Sequence, residues 1–303
     1  MPDLSVEFAG VSFKNPVVTA SGTFGFGREY SAYFDLNALG GICVKGLTLA
    51  PKDGNPPTRI AETPMGVLNS VGLQNPGIDS FIRDELPFLR RFDVRVIANL
   101  SGETVEEYAL GAERLSAAGV DLIEVNISCP NVKAGGLAFG ADPAMAARVT
   151  RAVKEKSRVP VMVKLSPNVT DVGEIARAAA DAGADALSLI NTLLGMQIDI
   201  RTRRPVLRNN MGGLSGPAVL PVAVRMVWQA AQAVKLPILG MGGVTTGEDA
   251  VQLLLAGASL VGVGTAIFTD PLAPLHVRDG LTAYLKESEI GRVTELTGQL
   301  QVY

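Results

Sequence analysis

Short, almost continuously apolar runs recur along the chain and are separated by segments with helical periodicity. Runs of this kind are typical of parallel strands that are covered on both faces. The helical segments include 104–119, 171–183 and 246–258, and several end in Ala-Gly, a common stop signal for a helix. The predicted strands lie within 15–22, 41–48, 95–102, 122–129, 159–166, 186–193, 236–243 and 260–268.

This alternation predicts an α/β fold, a (β/α)₈ TIM barrel, with 1–303 as a single domain. The segment 5–13 ahead of the first strand predicts an N-terminal β-hairpin. The alternative is an open doubly wound sheet, but the glycine-rich turns at 240–247 and 262–268 lack the spacing of its dinucleotide signature. The connections 49–75, 129–141 and 194–216 follow strands, so we expect long active-site loops on the C-terminal face.

Composition and charge narrow the classes of function. The net charge of the 303 residues is −3 and basic clusters are missing, so we expect no nucleic-acid partner. No basic, apolar leader precedes the fold and no apolar run reaches about 18 residues, so we expect a cytoplasmic protein without membrane contact. A single histidine, His276, leaves little material for a metal site or a catalytic triad, and we expect it to pack or lie at the surface.

Polar residues and glycines end the predicted strands. Asparagine amides offer both donors and acceptors and therefore suit a planar heteroaromatic ligand. Glycine-rich turns after the last two strands favour a phosphate site, which this fold often builds there. Glu124 and Asp185 lie earlier on their strands, so we expect structural roles for them. The strand-end residues are Ser21, Lys45, Asn99, Asn126, Lys164, Asn191, Gly242 and Gly264.

The two cysteines and two strand-end lysines carry the candidate chemistry. Cys43 lies inside an apolar strand and is expected to be a small buried side chain, whereas Cys129 begins a glycine-rich loop. A thiol on such a loop can reach a ligand and act as a base or a nucleophile. Lys164 and Lys45 suit either a Schiff base or a cation facing an electron-rich ring. A Schiff-base aldolase and a non-enzymatic barrel that binds a phosphate ligand therefore stay open.

Four motifs that span nearly the whole chain resemble one family. They are NISCPNVKAGGLAFG (126–140), GVLNSVGLQNPG (66–77), INTLLGMQIDIRTRRPVLRNNMGGLSGPA (190–218) and GMGGVTTGEDAVQLLLAGASLVGVGTAIF (240–268). They closely resemble the flavin-dependent dihydroorotate dehydrogenases, in particular the class 1B catalytic subunits. The resemblance implies a TIM barrel with one FMN per chain that oxidises (S)-dihydroorotate to orotate in pyrimidine biosynthesis.

The same resemblance implies roles for individual residues. Cys129 matches the general base that removes the C5 proton, and Asn131 assists with the substrate. The residues that would hold the substrate are Lys45, Asn69, Ser70, Val71, Gly72, Leu73, Asn126, Asn191 and Thr192. Those that would contact FMN are Ser21, Lys45, Gly46, Asn99, Asn126, Lys164, Ile190, Gly216, Gly242, Gly243, Gly264 and Thr265.

Class 1B enzymes pass electrons to NAD through a partner subunit that carries FAD and a [2Fe-2S] cluster. This chain has two cysteines, too few for the four that a conventional cluster needs, and it lacks a dinucleotide fingerprint. The resemblance thus implies an electron-transfer partner and a homodimer within a heterotetramer. The alternatives are a class 1A, fumarate-linked enzyme and a relative of dihydropyrimidine dehydrogenase, although VKAGGLAFG after SCPN favours class 1B.

Overall fold

The computed structural model describes residues 1–127 and 139–303. In chain order the strands are β1 (Val6–Phe8), β2 (Val11–Phe13), β3 (Val17–Thr19), β4 (Gly41–Cys43), β5 (Ile60–Thr63), β6 (Gly66–Asn69), β7 (Arg95–Leu100), β8 (Leu122–Asn126), β9 (Val161–Lys164), β10 (Ala186–Leu189), β11 (Leu193–Gly195), β12 (Ile198–Asp199), β13 (Arg204–Pro205), β14 (Gly212–Ser215), β15 (Ile238–Met241) and β16 (Leu260–Val263).

The α-helices are α1 (Ile78–Ser80), α2 (Leu86–Leu89), α3 (Val105–Ala117), α4 (Pro143–Lys156), α5 (Val172–Asp181), α6 (Leu220–Ala233), α7 (Gly247–Ala256) and α8 (Ala273–Glu287). A π-helical turn, Phe81–Glu85, joins α1 to α2. Turns of 3₁₀ helix occupy Tyr30–Ala32, Leu36–Ala38, Pro217–Val219, Thr265–Phe268 and Val293–Leu296.

Eight parallel strands close into a barrel in the order β3, β4, β7, β8, β9, β10, β15, β16, with β16 pairing back to β3. Each of them lies inside a run that the sequence predicts to be a strand. Nearly all of their residues are buried, as expected where helices cover one face and the barrel interior the other. The predicted TIM barrel is therefore confirmed.

Local signals fix the helices between the strands. The side chains of Thr104, Asp171 and Thr246 accept hydrogen bonds from backbone N–H groups in the first turns of α3, α5 and α7. Such caps satisfy donors that a helix leaves unpaired at its start. After α7, Gly257 takes φ +121°, a conformation that glycine tolerates best. These signals turn each chain segment back towards the next strand.

An antiparallel hairpin, β1–β2, precedes the barrel, as the sequence predicts. The Phe8 and Phe13 rings meet edge to face with centroids 6.1 Å apart, and both side chains are fully buried. A Cβ at Gly41, the first residue of β4, would lie 3.0 Å from the Phe13 ring. The hairpin therefore packs apolar rings against the N-terminal end of the barrel.

Two of the three long connections combine into a second sheet. Its strands run in the order β11, β14, β6, β5, with antiparallel pairing throughout. Gly213 of β14 pairs with Asn69 of β6, which joins the 194–216 loop to the 49–75 loop. Strand pairing between these two loops thus holds them in place, in addition to their attachment to the barrel.

The connection between β3 and β4 differs from the predicted βα alternation. Throughout this stretch, which the structure describes completely, two 3₁₀ turns stand where a helix is expected. Gly22, Gly25 and Gly27 have φ values of +88°, +57° and +83°, which a right-handed helix does not allow. Phe24, which lies between these glycines, instead stacks on Tyr30 beyond them, with 4.4 Å between the ring centroids.

Candidate active site

A cavity of about 590 Å³ lies at the C-terminal ends of the barrel strands and under the second sheet. Its volume falls in the range of roughly 300–1,000 Å³ typical of small-molecule sites. Every predicted site residue that the structure describes lines it: Ser21, Lys45, Gly46, Asn69, Ser70, Val71, Gly72, Leu73, Asn99, Asn126, Lys164, Ile190, Asn191, Thr192, Gly216, Gly242, Gly243, Gly264 and Thr265. Residues far apart in the sequence therefore form one site.

The barrel interior directly beneath the cavity is polar. Five adjacent strands, β4, β7, β8, β9 and β10, each contribute a polar side chain to this layer, and these five side chains are buried. We call this group the floor. It consists of Cys43, Asn99, Glu124, Lys164 and Ser188.

Glu124 is the centre of the floor. Its carboxylate accepts hydrogen bonds from Asn99 Nδ2, Ser188 Oγ (2.7 Å) and Cys43 Sγ (3.2 Å). Lys164 Nζ lies 3.6 Å from Glu124 Oε2 and donates to Ser21 Oγ at 3.3 Å. A buried carboxylate in this environment has all its oxygens engaged.

The charges and hydrogen bonds of the floor determine its protonation. Burial acts to raise the pKa of Glu124, but the charge of Lys164 and the hydrogen bonds from Ser188, Asn99 and Cys43 outweigh it, so that the pKa is lowered. Burial, with the neighbouring Glu124 charge, raises the pKa of Cys43 well above its ordinary value. Cys43 is therefore a buried thiol that donates to Glu124, which confirms the expectation that it is buried.

Two buried polar atoms at the cavity lack a hydrogen-bond partner among the described residues, Asn99 Oδ1 and Ser70 Oγ. Both residues line the cavity. Unpaired buried polar groups are costly, so native structures rarely leave them unless a ligand or water completes them. An acceptor on the floor and a hydroxyl on the 69–73 segment fit a bound planar heterocycle such as the FMN ring system.

Glycine-rich turns follow the last two barrel strands, as predicted. Gly242 and Gly243 take φ +126° and +80°, and Gly264 directly follows β16. A Cβ at Gly243 would lie 2.7 Å from Leu220 N at the start of α6. The glycine is therefore needed for packing against α6, and its replacement disturbs more than the phosphate approach that the sequence suggests. Small residues nevertheless leave backbone open to an anion here.

Lys45 and the segment 69–73 form a second region, which we call the wall. Asn55 holds this segment, because its backbone N–H donates to Val71 O (2.9 Å) and its Nδ2 donates to Ser70 O (2.8 Å). Gly72 and Leu73 take φ +78° and +57° in succession. Burial, and then the charge of Arg59, lower the pKa of Lys45. No carboxylate within 4.0 Å pairs with Lys45 in the part of the chain that the structure describes.

Amides connect the floor side of the cavity to the second sheet. Asn191 Nδ2 donates to Asn126 Oδ1 at 3.3 Å, and the Thr192 N–H donates to Asn191 Oδ1 at 2.8 Å. Asn126 is also fixed through its backbone, where Tyr108 OH donates to its carbonyl oxygen at 2.7 Å. Asn168, which the sequence reasoning missed, donates to Thr192 O (3.0 Å) and accepts from the Leu194 N–H (2.9 Å).

Some residues singled out from the sequence lie away from this cavity or outside the described residues. Cys129 and Asn131 lie outside the described residues, so their roles stay predictions. His276 is largely exposed and its Nδ1 lies 2.7 Å from Asp270 Oδ2, which confirms a surface position. Asp185 accepts from the Val161 N–H and pairs with Lys154 at 2.6 Å, in keeping with a structural role.

Further residues line the cavity without having been predicted. Ser166 and Asn168 follow β9, and their signal is the continuation of a strand-end pattern beyond Lys164. Thr23, Asn209, Met211 and Ser215 come from connections whose course depends on tertiary contacts. Ser215 Oγ accepts a hydrogen bond from Thr265 Oγ1 at 2.8 Å.

Among the described helices, none is long and apolar enough to span a membrane.

Comparison with known proteins identifies the family. A family model for dihydroorotate dehydrogenase matches residues 3–285. The catalytic subunit of dihydroorotate dehydrogenase B (NAD(+)) from Alkaliphilus oremlandii is 57% identical over 298 residues, which cover 98% of this chain and 99% of the relative. The protein of the same name from Desulforudis audaxviator is 60% identical over 295 residues, covering 97% and 96%.

A solved structure supports the fold independently. The crystal structure of a DHODH from Eimeria tenella in complex with ferulenol has a TM-score of 0.81 and 23% identity, and the match covers 99% of this chain and 89% of that one. The family model spans the whole barrel, and the sequence relatives match almost end to end. This chain is therefore a member of the dihydroorotate dehydrogenase family.

Proposed function

We propose that this chain oxidises dihydroorotate to orotate for pyrimidine biosynthesis, with one bound FMN and with NAD as the final electron acceptor. The single observation that carries the proposal is the cavity, which gathers all the described residues that the family resemblance implicates. The relatives that match this chain at 57–60% identity over nearly their full length are named as NAD-linked catalytic subunits. These names favour the class 1B alternative over a fumarate-linked enzyme.

FMN binding is proposed for the floor side of the cavity. Asn99 Oδ1 would accept a hydrogen bond from the ring system, and Lys164 would supply a positive charge to it. The backbone around Gly216, Gly243, Gly264 and Thr265 would hold the phosphate. FMN, when bound, would supply an acceptor for the hydride that leaves C6 of dihydroorotate. The protein's part is to hold the ring, orient the substrate and exclude water.

Substrate binding is proposed for the wall. Dihydroorotate carries a carboxylate, and Lys45 is a desolvated cation without a carboxylate partner among the described residues. Ser70 Oγ is a buried hydroxyl that has no hydrogen-bond partner among the described residues. The linked amides of Asn126 and Asn191 face the cavity and suit the alternating donors and acceptors of the pyrimidine ring.

Cys129 is proposed as the general base. β8 ends at Asn126, which lines the cavity, so the chain leaves the barrel at the site three residues before Cys129. The thiolate would take the proton from C5 while the hydride leaves C6, which converts the C5–C6 single bond to a double bond. A thiol whose ordinary pKa is about 8.5 is close enough to neutrality for this task.

An electron-transfer partner carrying FAD and a [2Fe-2S] cluster is proposed to reoxidise the flavin, in a heterotetramer built on a homodimer of this chain. The chain's two cysteines do not suffice for a cluster of its own. Four large apolar side chains that line the cavity are about half exposed, which supports a protein covering the mouth. They are Ile60, Leu194, Met211 and Phe268.

The test is anaerobic turnover with dihydroorotate and NAD, first with the FMN-bound chain alone and then with the partner subunit added. We expect reduction of the bound flavin in both cases and rapid NAD reduction only after mixing. Rapid NAD reduction by the isolated chain would contradict the need for a partner. A purified chain that binds no flavin would contradict the proposed function itself.

A further inference from the structure

The reaction proposed above does not use Glu124, although this side chain organises the floor. Glu124 is fully buried and does not line the cavity, so it touches neither ligand directly. The interior of a TM barrel is usually filled by branched apolar side chains. A buried carboxylate needs strong compensation, and replacing such an ion pair by apolar residues is often neutral or stabilising. Its presence beneath the cavity therefore calls for an explanation beyond stability.

Strand register explains the contact of Glu124 with Asn99 and brings Lys164 close to it. Asn99 of β7 is the register partner of Glu124 on β8, whereas Lys164 of β9 is the register partner of Asn126, two residues further along β8 on the same face, and of Ser188 on β10. Side chains of register partners lie side by side on the same face of a sheet. The carboxylate thus contacts the one lysine and the one amide of the floor that face the cavity.

We propose that Glu124 is a positioning residue that sets the reduction potential of the bound FMN, by offsetting the charge of Lys164 and fixing the orientation of Asn99. The proposal rests on the proposed function and deepens it. It assigns to a carboxylate outside the ligand's contact shell the control of how strongly the flavin holds its electrons.

The physical reason is charge balance. Reduction adds negative charge to the flavin, so a nearby cation stabilises the reduced form and raises its potential. Glu124 lies 3.6 Å from Lys164 Nζ and offsets this cation. In a buried environment such charges interact strongly. A flavin that must pass electrons onward to NAD is better served by a low potential, and Glu124 keeps it low.

The amide of Asn99 has a second role. Its Nδ2 donates to the Glu124 carboxylate, and therefore its Oδ1, which has no partner among the described residues, is directed away as an acceptor for the ligand. The reverse orientation would place two acceptors, Oδ1 and the carboxylate, against each other. Glu124 thereby selects an acceptor over a donor at this point of the cavity.

The experiment measures the reduction potential of FMN bound to the full chain, by equilibration with a reference dye under anaerobic conditions. Glu124→Gln keeps the shape and removes the charge. We expect the flavin equilibrium to shift at least tenfold towards the reduced form, which is about 30 mV for a two-electron couple. Asp185→Asn is the matched control, because Asp185 also pairs with a lysine, but that lysine, Lys154, does not line the cavity as Lys164 does. Its flavin potential should equal that of the wild type.

A double-mutant cycle separates charge balance from a structural effect. Lys164→Met should shift the equilibrium in the opposite direction, and Glu124→Gln combined with Lys164→Met should return it towards the wild type. A flavin equilibrium in Glu124→Gln that lies within twofold of the wild-type equilibrium overturns the proposal. If that single variant does not retain FMN, the double variant decides. A potential of the double variant equal to that of Lys164→Met alone, or loss of FMN from the double variant as well, then overturns the proposal.

These outcomes are distinct from failure of the proposed function. If the wild-type chain binds FMN and dihydroorotate reduces it, the function stands whatever Glu124 does. An unchanged potential in Glu124→Gln then removes only the role of Glu124.

Discussion

Lys45 and Lys164 both line the cavity, but the floor and the wall balance the two positive charges differently. In the floor, Lys164 is buried with a carboxylate 3.6 Å away and a hydroxyl partner. In the wall, burial lowers the pKa of Lys45, and no carboxylate pairs with it among the described residues. A compensated cation suits a resident cofactor, whereas an uncompensated one is ready for an anion that comes and goes. The difference supports the proposed division of the site into a cofactor side and a substrate side.

The largest effect is expected from the one proposed group that belongs to neither region. Cys129→Ala should leave flavin binding by the floor and substrate binding by the wall intact, yet slow flavin reduction by about 10²–10⁴-fold, the usual contribution of a positioned base. Stopped-flow reduction by dihydroorotate measures this. Cys129→Ser should be poor at neutral pH and recover as the pH rises, because a hydroxyl is a weaker acid. A wild-type reduction rate in Cys129→Ala contradicts the assignment.

The next effect tests the wall. Lys45→Met should weaken orotate binding by about 10- to 100-fold, because a hydrogen bond to a charged group contributes roughly 1.5–3 kcal/mol. Titration of orotate against the flavin spectrum gives the Kd. The ligand-free variant should be at least as stable as the wild type, since a desolvated charge is removed. Lys14→Met, at a surface ion pair with Asp93, is the control and should leave the Kd unchanged.

A smaller effect is expected from the backbone of the wall. Gly72→Ala places a Cβ 2.6 Å from Asn55 Cγ at φ +78°, so the 69–73 segment must shift. We expect a loss of about 1–3 kcal/mol in the free energy of unfolding, together with weaker orotate binding. Gly10→Ala is the matched control, because Gly10 has the same φ and nothing within 4 Å of the added Cβ. Equal losses in the two variants would mean that the close packing of Gly72 is irrelevant.

The smallest effect is a difference in how the two regions respond to pH. The lowered pKa of Glu124 adds stability that is fully present above its ordinary value of 4.5 and is lost as the pH falls through the folded-state pKa. The lowered pKa of Lys45 instead costs stability while the lysine is protonated. This cost disappears as the pH rises from the folded-state pKa to the ordinary value of 10.5. Melting temperature against pH should therefore flatten at the acid end in Glu124→Gln and at the alkaline end in Lys45→Met. No flattening in either variant contradicts these shifts.

The barrel and the composition of the site could be predicted from the sequence. Apolar runs mark the strands, and barrel closure brings the ends of parallel strands together, so strand-end residues such as Asn99 and Lys164 were placed at one cavity without any knowledge of contacts. The second sheet could not be predicted. Its pairing of Asn69 with Gly213 joins segments that are distant in the chain, and no local pattern encodes such a pairing.

The floor was only partly predictable. Glu124 lies two residues before Asn126 on β8, and Cys43 lies two residues before Lys45, so each pair points to the same face of its strand. That alternation was the available signal for a polar layer inside the barrel. What the alternation could not supply is the partner of each group, because the contact of Glu124 with Lys164 depends on the register of neighbouring strands.

The central claim is that this cavity holds FMN and lets dihydroorotate reduce it, and an anaerobic visible titration tests it most directly. The account predicts a yellow protein whose flavin absorbance is bleached by about one equivalent of dihydroorotate, with orotate formed in equal amount. Bleaching should also occur in Lys45→Met, but only at higher substrate concentration. A flavin-bound chain whose absorbance stays unchanged with excess dihydroorotate, while dithionite still reduces it, would contradict the claim.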